Sequence, residues 1–495
     1  MKSDSLFELI QSLTKNEKRA LKLAAKRQGV DRDKDYMALF QFFSNLNEYK
    51  RENVEPELKL QFSNLAFTKN YLHEFILKTL RAYHSGQTIA IQLDELMIDI
   101  RILLKKGLKQ QAEKLIQKGK KLALKYEEDV KYLEFLILER KQIRRDKKKK
   151  IRQMIEAVQE ESQESLKKIT LFLNILKVYE EVFIGIKTDN EIKAESDRLM
   201  QQKVLGLAEK MPSDDVSLDA AIYLLGVSSH YYYQQGNFER SFHYLDLLIN
   251  IIATKEHIIK QDLERYARIL NNYLTRCATV KKYDKFPPML AKMRAIKADD
   301  YSVKAMVVQN VFYLELLYRL RPESSQEDYQ IARALIPDIE KMLRDYEDDI
   351  NKSRQLTFYI SISTVYLLND AFEEALESNN RIVLLDDRHE IRKDIQLFAR
   401  ILQIIIHFEL GDYFFLEEKL IPDLRRWIRT FSTPQPKVRA FLDCIQKAIE
   451  PGNKRQQPAL LQSLEKRLQP GGAFQGVLLW LRKKREQREA KVVSQ

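Results

Sequence analysis

Cysteine is nearly missing from this chain: Cys277 and Cys444 are the only two in 495 residues. No disulfide framework can be built from them, and a reducing compartment, the cytoplasm, is the expectation. Glycine (13) and proline (12) are scarce as well, each below its usual share of roughly 7% and 5%. Strands joined by tight turns consume both residues and long helices avoid them. The shortage therefore argues for an all-α chain. Long apolar runs are also missing. The best, Ile401 to Phe408, falls far short of the roughly 18 residues that cross a bilayer. Asp4 and Glu8 in the opening stretch are wrong for a secretory signal.

The signatures of catalysis are missing too. The seven histidines (His73, His84, His230, His243, His257, His389 and His407) are scattered, with no HExxH and no cysteine pair beside them. No metal site is expected from such spacing. His407, between Ile406 and Phe408, reads as a packed core histidine. Neither a GxGxxG nor a GxxxxGK[ST] loop is present to cradle phosphates, and no GxSxG elbow presents a nucleophile. The paired acids Asp348/Asp349 and Asp386/Asp387 fall at expected helix ends, where carboxylates cap amides. A non-enzyme with no cofactor, no metal and no small-molecule substrate is the expectation.

What is present is charge and helical periodicity. Charged residues make up 31% of the chain, with 84 Lys and Arg against 71 Asp and Glu, a net +13. That excess permits an anionic partner without requiring one. Residues 1–86 read as a separate helical domain. Ser5-x-x-Glu8 and Thr14-x-x-Glu17 have capping-box spacing, a helix follows Pro56, and Phe67 to Tyr83 places Tyr71, Leu72, Phe75, Ile76 and Leu80 on one stripe. On its outer side, Lys69, His73, Lys78 and Arg81 are where a groove-reading helix carries its contacts. Residues 87–185 hold the first hairpins, the basic run 140–152 and an amphipathic stretch, Ile151 to Phe183, that is one long helix or a pair. A hairpin array occupies 186–431. Two capping helices and a basic tail make up 432–495.

The array carries the strongest signal. Tyr231 to Ile249, YYYQQGNFERSFHYLDLLI, reads as two helices joined at a glycine. It resembles a tetratricopeptide repeat, a pattern of a glycine at the turn, an aromatic two residues on and a small residue three after that. Gly236, Phe238 and Ser241 fit, with Tyr232 packing the first helix. Looser copies have Lys281, Tyr283 and Phe286; Asp370, Phe372 and Ala375; Gly411, Tyr413 and Leu416; and Gly107 with Ala112. The turn aromatics Phe238, Tyr283, Phe372 and Tyr413 are 45, 89 and 41 residues apart, a period longer than the family's usual ~34. The 89-residue gap spans two units.

The resemblance covers residues 90 to 430 and implies an α–α superhelix whose first helices line a concave groove for a protein or peptide partner. On that basis Tyr223, His230, Tyr233 and Gln234 would face the groove from one hairpin, and Arg268, Asn271 and Thr275 from the next. The family's carboxylate clamp for acidic tails is not met, because the Thr357 to Leu368 helix has Ile360 and Thr364 at the clamp positions. A second reading is a nucleic-acid-associated protein, either a DNA-binding regulator or a ribosome-associated factor. Its contacts would be Arg144, Arg145, Lys147, Lys148, Lys149 and Lys150 in the basic run, with Arg482, Lys483, Lys484 and Arg485 in the tail. No aromatic lies within 140–152 to stack a base.

Overall fold

The computed structural model describes residues 4–28, 34–46, 48–62, 64–143, 151–187, 216–384, 393–431, 435–453, 455–468 and 474–493. Every regular element among them is helical. They divide into two compact units, Met1–Lys177 with Asp214–Ala220, and Val178–Ser213 with Ala221–Gln495.

In the first unit, α1 (Ser5–Ser12), α2 (Lys15–Gln28), α3 (Lys34–Asn45), α4 (Arg51–Gln61) and α5 (Leu65–Tyr83) enclose Leu6, Ile10, Leu21, Phe40, Phe43 and Ile76. The Thr14-x-x-Glu17 box forms: the Thr14 N–H donates to Glu17 at 2.8 Å, and the Glu17 N–H donates back to the Thr14 hydroxyl at 3.3 Å. The Ser5 box does not. Asp4 caps α1 instead, its carboxylate accepting from the Leu6 N–H at 2.9 Å, because a charged acceptor gains more from the positive end of the helix than a hydroxyl does. Pro56 lies inside α4, which starts at Arg51. Next come α6 (Ile89–Lys105), α7 (Lys109–Lys125), α8 (Asp129–Ile143) and α9 (Ile151–Lys187). They share Leu93, Ile100, Ala112, Ile116, Phe135 and Val158 as a core. The stretch expected as one long helix or a pair is a single helix.

The second unit runs from α10 (Leu218–Gln234, from Ala221 onward) through α11 (Phe238–Thr254), α12 (Leu263–Thr279), α13 (Phe286–Arg294), α14 (Tyr301–Arg319), α15 (Gln326–Ala334) and α16 (Ile336–Asp345). It continues through α17 (Lys352–Leu368), α18 (Phe372–Leu384), α19 (Lys393–Leu410), α20 (Ile421–Ile428), α21 (Pro436–Ile449), α22 (Gln457–Arg467) and α23 (Gln475–Val493). Neighbours in sequence pack together, and several helices also pack on the next but one: α12 on α14, α15 on α17, α17 on α19. A helix with one apolar stripe buries it only against such neighbours.

One turn recurs. Gly107, Glu127, Gly236, Lys281, Asp370 and Gly411 all have positive φ, between 57° and 80°. At each, the N–H of the following residue reaches back five residues, as from Asn237 to the Tyr232 carbonyl at 2.9 Å and from Ala371 to the Tyr366 carbonyl at 3.0 Å. This is the Schellman closure, which satisfies orphan carbonyls and reverses the chain. Five of the six are the turn positions read from the sequence; Glu127 is an addition. The residue five places after each turn is buried: Ala112, Tyr132, Ser241, Phe286, Ala375 and Leu416. A second device repeats in two hairpins. The Ser229 hydroxyl donates to the Ser241 carbonyl at 2.8 Å, and the Ser363 hydroxyl donates to the Ala375 carbonyl at 2.7 Å. Both serines stand seven residues ahead of the turn.

Candidate partner-binding face on α10 and α12

The helices α10 and α12 are the first members of successive hairpins and lie alongside each other in parallel. Near their starts the Arg265 guanidinium stands 5.6 Å from the Tyr223 ring centre; near their ends the Arg276 guanidinium lies 3.7 Å from that of Tyr233. Arg265 and Arg276 are eleven residues apart, about three turns, so they project from the same face of α12. Neither was singled out in the sequence, although that spacing was there to be read. Arginine over a tyrosine face gains from the ring quadrupole and leaves the guanidinium edge free to bond.

Of the residues expected to line a groove, the structure gathers some and not others. Tyr223 also meets Tyr179 edge-on at 5.0 Å. Tyr233 is 43% exposed, and its ring lies 5.5 Å from Phe238. His230 and Gln234 are exposed and 3.1 Å apart, one turn from each other. Burial, with the nearby Arg276 charge second, holds the His230 imidazole below its ordinary pKa. Arg268 is tied to Glu264 on its own helix. The Thr275 hydroxyl bonds back to the Asn271 carbonyl at 2.8 Å, so it is spent within α12. The Asn271 side-chain oxygen is buried without a hydrogen-bond partner.

Arg276 has no acidic partner among the described residues, its Nε is buried without an acceptor, and burial lowers its pKa. Arg354 on α17 is similar: it donates to the Asn310 side chain at 2.7 Å and lies 4.0 Å from the Tyr313 ring centre, and burial lowers it too. Ile360 and Thr364, farther along α17, are buried and offer nothing to a guest.

The first four cations of the basic tail have internal partners. Within α23, the Arg482 guanidinium donates to the Pro322 carbonyl and pairs with Glu486. Lys483 donates to the Leu368 carbonyl at 2.8 Å and pairs with Asp370 at 2.6 Å, Lys484 pairs with Glu409, and Arg485 pairs with Glu465 at 3.2 Å. Four consecutive cations therefore find partners at the end of α17, on α19 and α22, and in the loop between α14 and α15. Arg144, Arg145 and Lys147 to Lys150 lie outside the described residues. On α5, Lys69 turns back into its bundle to pair with Asp4 at 2.5 Å, which breaks the outer row expected with His73, Lys78 and Arg81; those three are exposed. His407 is buried as expected and bonds Asp412 through Nδ1 at 2.9 Å.

Among the described residues no group of three potential ligands gathers to hold a metal, and no helix is long and apolar enough to cross a membrane. No protein-family model, no curated protein and no solved structure matches this chain.

Proposed function

We infer that the protein is a non-catalytic scaffold, a tetratricopeptide-like stack of helical hairpins that holds a protein or peptide partner on the face built by its first helices. The observation that carries this reading is the repetition of one turn chemistry, the Schellman closure with a buried residue five places on. A hairpin that cannot bury its apolar face alone stacks on its neighbours, and a stack leaves its first helices sharing one wall. On α10 and α12 that wall offers half-exposed tyrosine and unpaired arginine, residue types over-represented where partners bind tightly.

The test is capture of partners by the tagged full-length protein from its own cell, with and without nuclease. Tyr223→Ala with Tyr233→Ala should abolish a nuclease-resistant partner while leaving the melting transition in place. Retention of every partner by the double variant would sink the scaffold reading. The nucleic-acid reading is supported by the basic run 140–152 and the net charge of +13, and less by the tail, where Arg482 to Arg485 have partners within the unit. It predicts a nuclease-sensitive partner and a steep loss of binding with salt.

A further inference from the structure

We propose that Arg276 anchors a site for an acidic segment of the partner, a glutamate- or aspartate-rich peptide whose side-chain carboxylate docks on the guanidinium above Tyr233. This rests on the scaffold reading and names the chemistry of its guest.

The argument starts from an asymmetry of charge. Elsewhere in the same unit, arginines that fold back on the protein find an acceptor there: Arg319 pairs with Glu315 at 3.0 Å and Asp328 at 2.7 Å, Arg321 with Asp328 at 3.1 Å and Arg381 with Glu340 at 3.4 Å, while Arg354 donates to the Asn310 amide oxygen at 2.7 Å. Arg276 has only the Tyr233 side chain, ring and hydroxyl, among the described residues, with its Nε left without an acceptor. A guanidinium half removed from water and given no carboxylate is an unbalanced charge, and a bidentate carboxylate is the ligand that balances it best.

The surroundings say which anion. Beside Tyr233, across the Phe238 ring, lies an open depression of about 470 Å³ lined by Asn237, Phe238, Glu239, Thr279 and Val280. An aromatic wall with amide edges suits a peptide chain. Lys281 and Lys282, at the end of α12, are exposed and without acidic partners among the described residues, so a second acid of the guest has a cation to meet. A nucleic-acid backbone, with a charge at every step, needs a row of free cations. The flanking arginines are occupied instead: Arg240 by the Tyr232 hydroxyl at 2.9 Å, Arg265 by Asp262 at 3.9 Å and Arg268 by Glu264. Glu239 is the one carboxylate lining the depression and sets a limit on how acidic the guest can be there.

The experiment measures binding of fluorescein-labelled octaglutamate to the full-length protein by anisotropy at low salt, with labelled oligothymidylate of equal length as the competing anion. Octaglutamate should bind the native protein. Arg276→Met should weaken it about tenfold or more, since a hydrogen-bonded charge contributes on the order of 1.5–3 kcal/mol, and Arg276→Lys should recover part of that by keeping charge without the fork. Glu239→Gln, at an exposed position in the first turn of α11, should tighten binding about twofold by removing a repelling charge. Arg344→Met, an exposed arginine elsewhere in the unit, should change nothing. Equal affinity of the native and Arg276→Met proteins, or no effect of Glu239→Gln, overturns the site. Equally tight oligothymidylate binding with the same Arg276 dependence overturns the peptide assignment. If octaglutamate binds neither protein while a nuclease-resistant partner is still lost on substitution of Tyr223 and Tyr233, the acidic site fails and the scaffold reading stands.

Discussion

The indole N–H of Trp480 donates to the Glu409 carboxylate at 2.6 Å across 71 residues of sequence, and Lys484, one turn along α23, pairs with the same carboxylate. Trp480 is 1% exposed and meets Phe408 edge-on at 5.9 Å, so α23 is held by a large buried ring with a polar hook. Trp480→Ala should destabilise the second unit by about 3–5 kcal/mol through lost burial and a cavity. Trp480→Phe keeps most of the ring area and should cost about 1–2 kcal/mol for the missing donor. Denaturant titration followed by circular dichroism separates the two; no loss in Trp480→Phe would mean the Glu409 contact contributes nothing.

The recurrent turn makes an opposite pair of predictions. Lys281 holds φ of 59° with a side chain, which costs roughly 1 kcal/mol relative to glycine. Lys281→Gly should therefore raise stability by up to about 1 kcal/mol, whereas Gly236→Ala, at φ 73°, should lower it by a similar amount. An added Cβ at Gly236 meets nothing within 4 Å, so the loss is purely conformational. Thermal melts of the two single variants should move in opposite directions.

Gly119 answers to space instead. A Cβ there would stand 2.4 Å from the Phe135 ring, where α7 and α8 pack. Gly119→Ala should cost about 1–3 kcal/mol by overpacking despite alanine's better helix propensity. Phe135→Leu introduced with it should recover part of the loss. An additive double variant would show that the two residues do not meet.

His84 and Glu17 give the first unit a pH window. His84 Nε2 lies 2.8 Å from Glu17 and Nδ1 lies 2.6 Å from Gln87. The bond to Gln87, followed by burial acting the other way and then the Glu17 bond and charge, leaves the imidazole above its ordinary pKa. Burial works to raise Glu17, but the Thr14 and His84 bonds outweigh it and lower the carboxyl. The histidine's contribution is complete below its unfolded pKa and is lost as pH rises through the folded value. The glutamate's is present above its unfolded pKa and is lost as pH falls through the folded one. The protection of amides at the start of α2, their exchange rates divided into the intrinsic rate at each pH, should be highest between about pH 4.3 and 6.5 and lower on either side, and His84→Gln should flatten the alkaline limb. An unchanged profile in that variant would remove His84 from the account.

The chain's local chemistry was enough to specify helices and their turns. Glycine and proline shortage, three- and four-residue apolar spacing and the Thr14 box act within a few residues, and so does the αL demand at Gly107, Gly236 and Gly411; all of it is legible along the sequence. Even Lys281 and Asp370 could be placed at turns, because their neighbours repeat the pattern. The assignment of charge could not be read that way. Arg482 to Arg485 look like a free cationic tail until Pro322, Leu368, Asp370, Glu409 and Glu465 come to meet them, and Arg276 looks like any helical arginine until α10 places Tyr233 beneath it and no acid beside it. Pairing and burial depend on which distant segments share space, and only packing decides that.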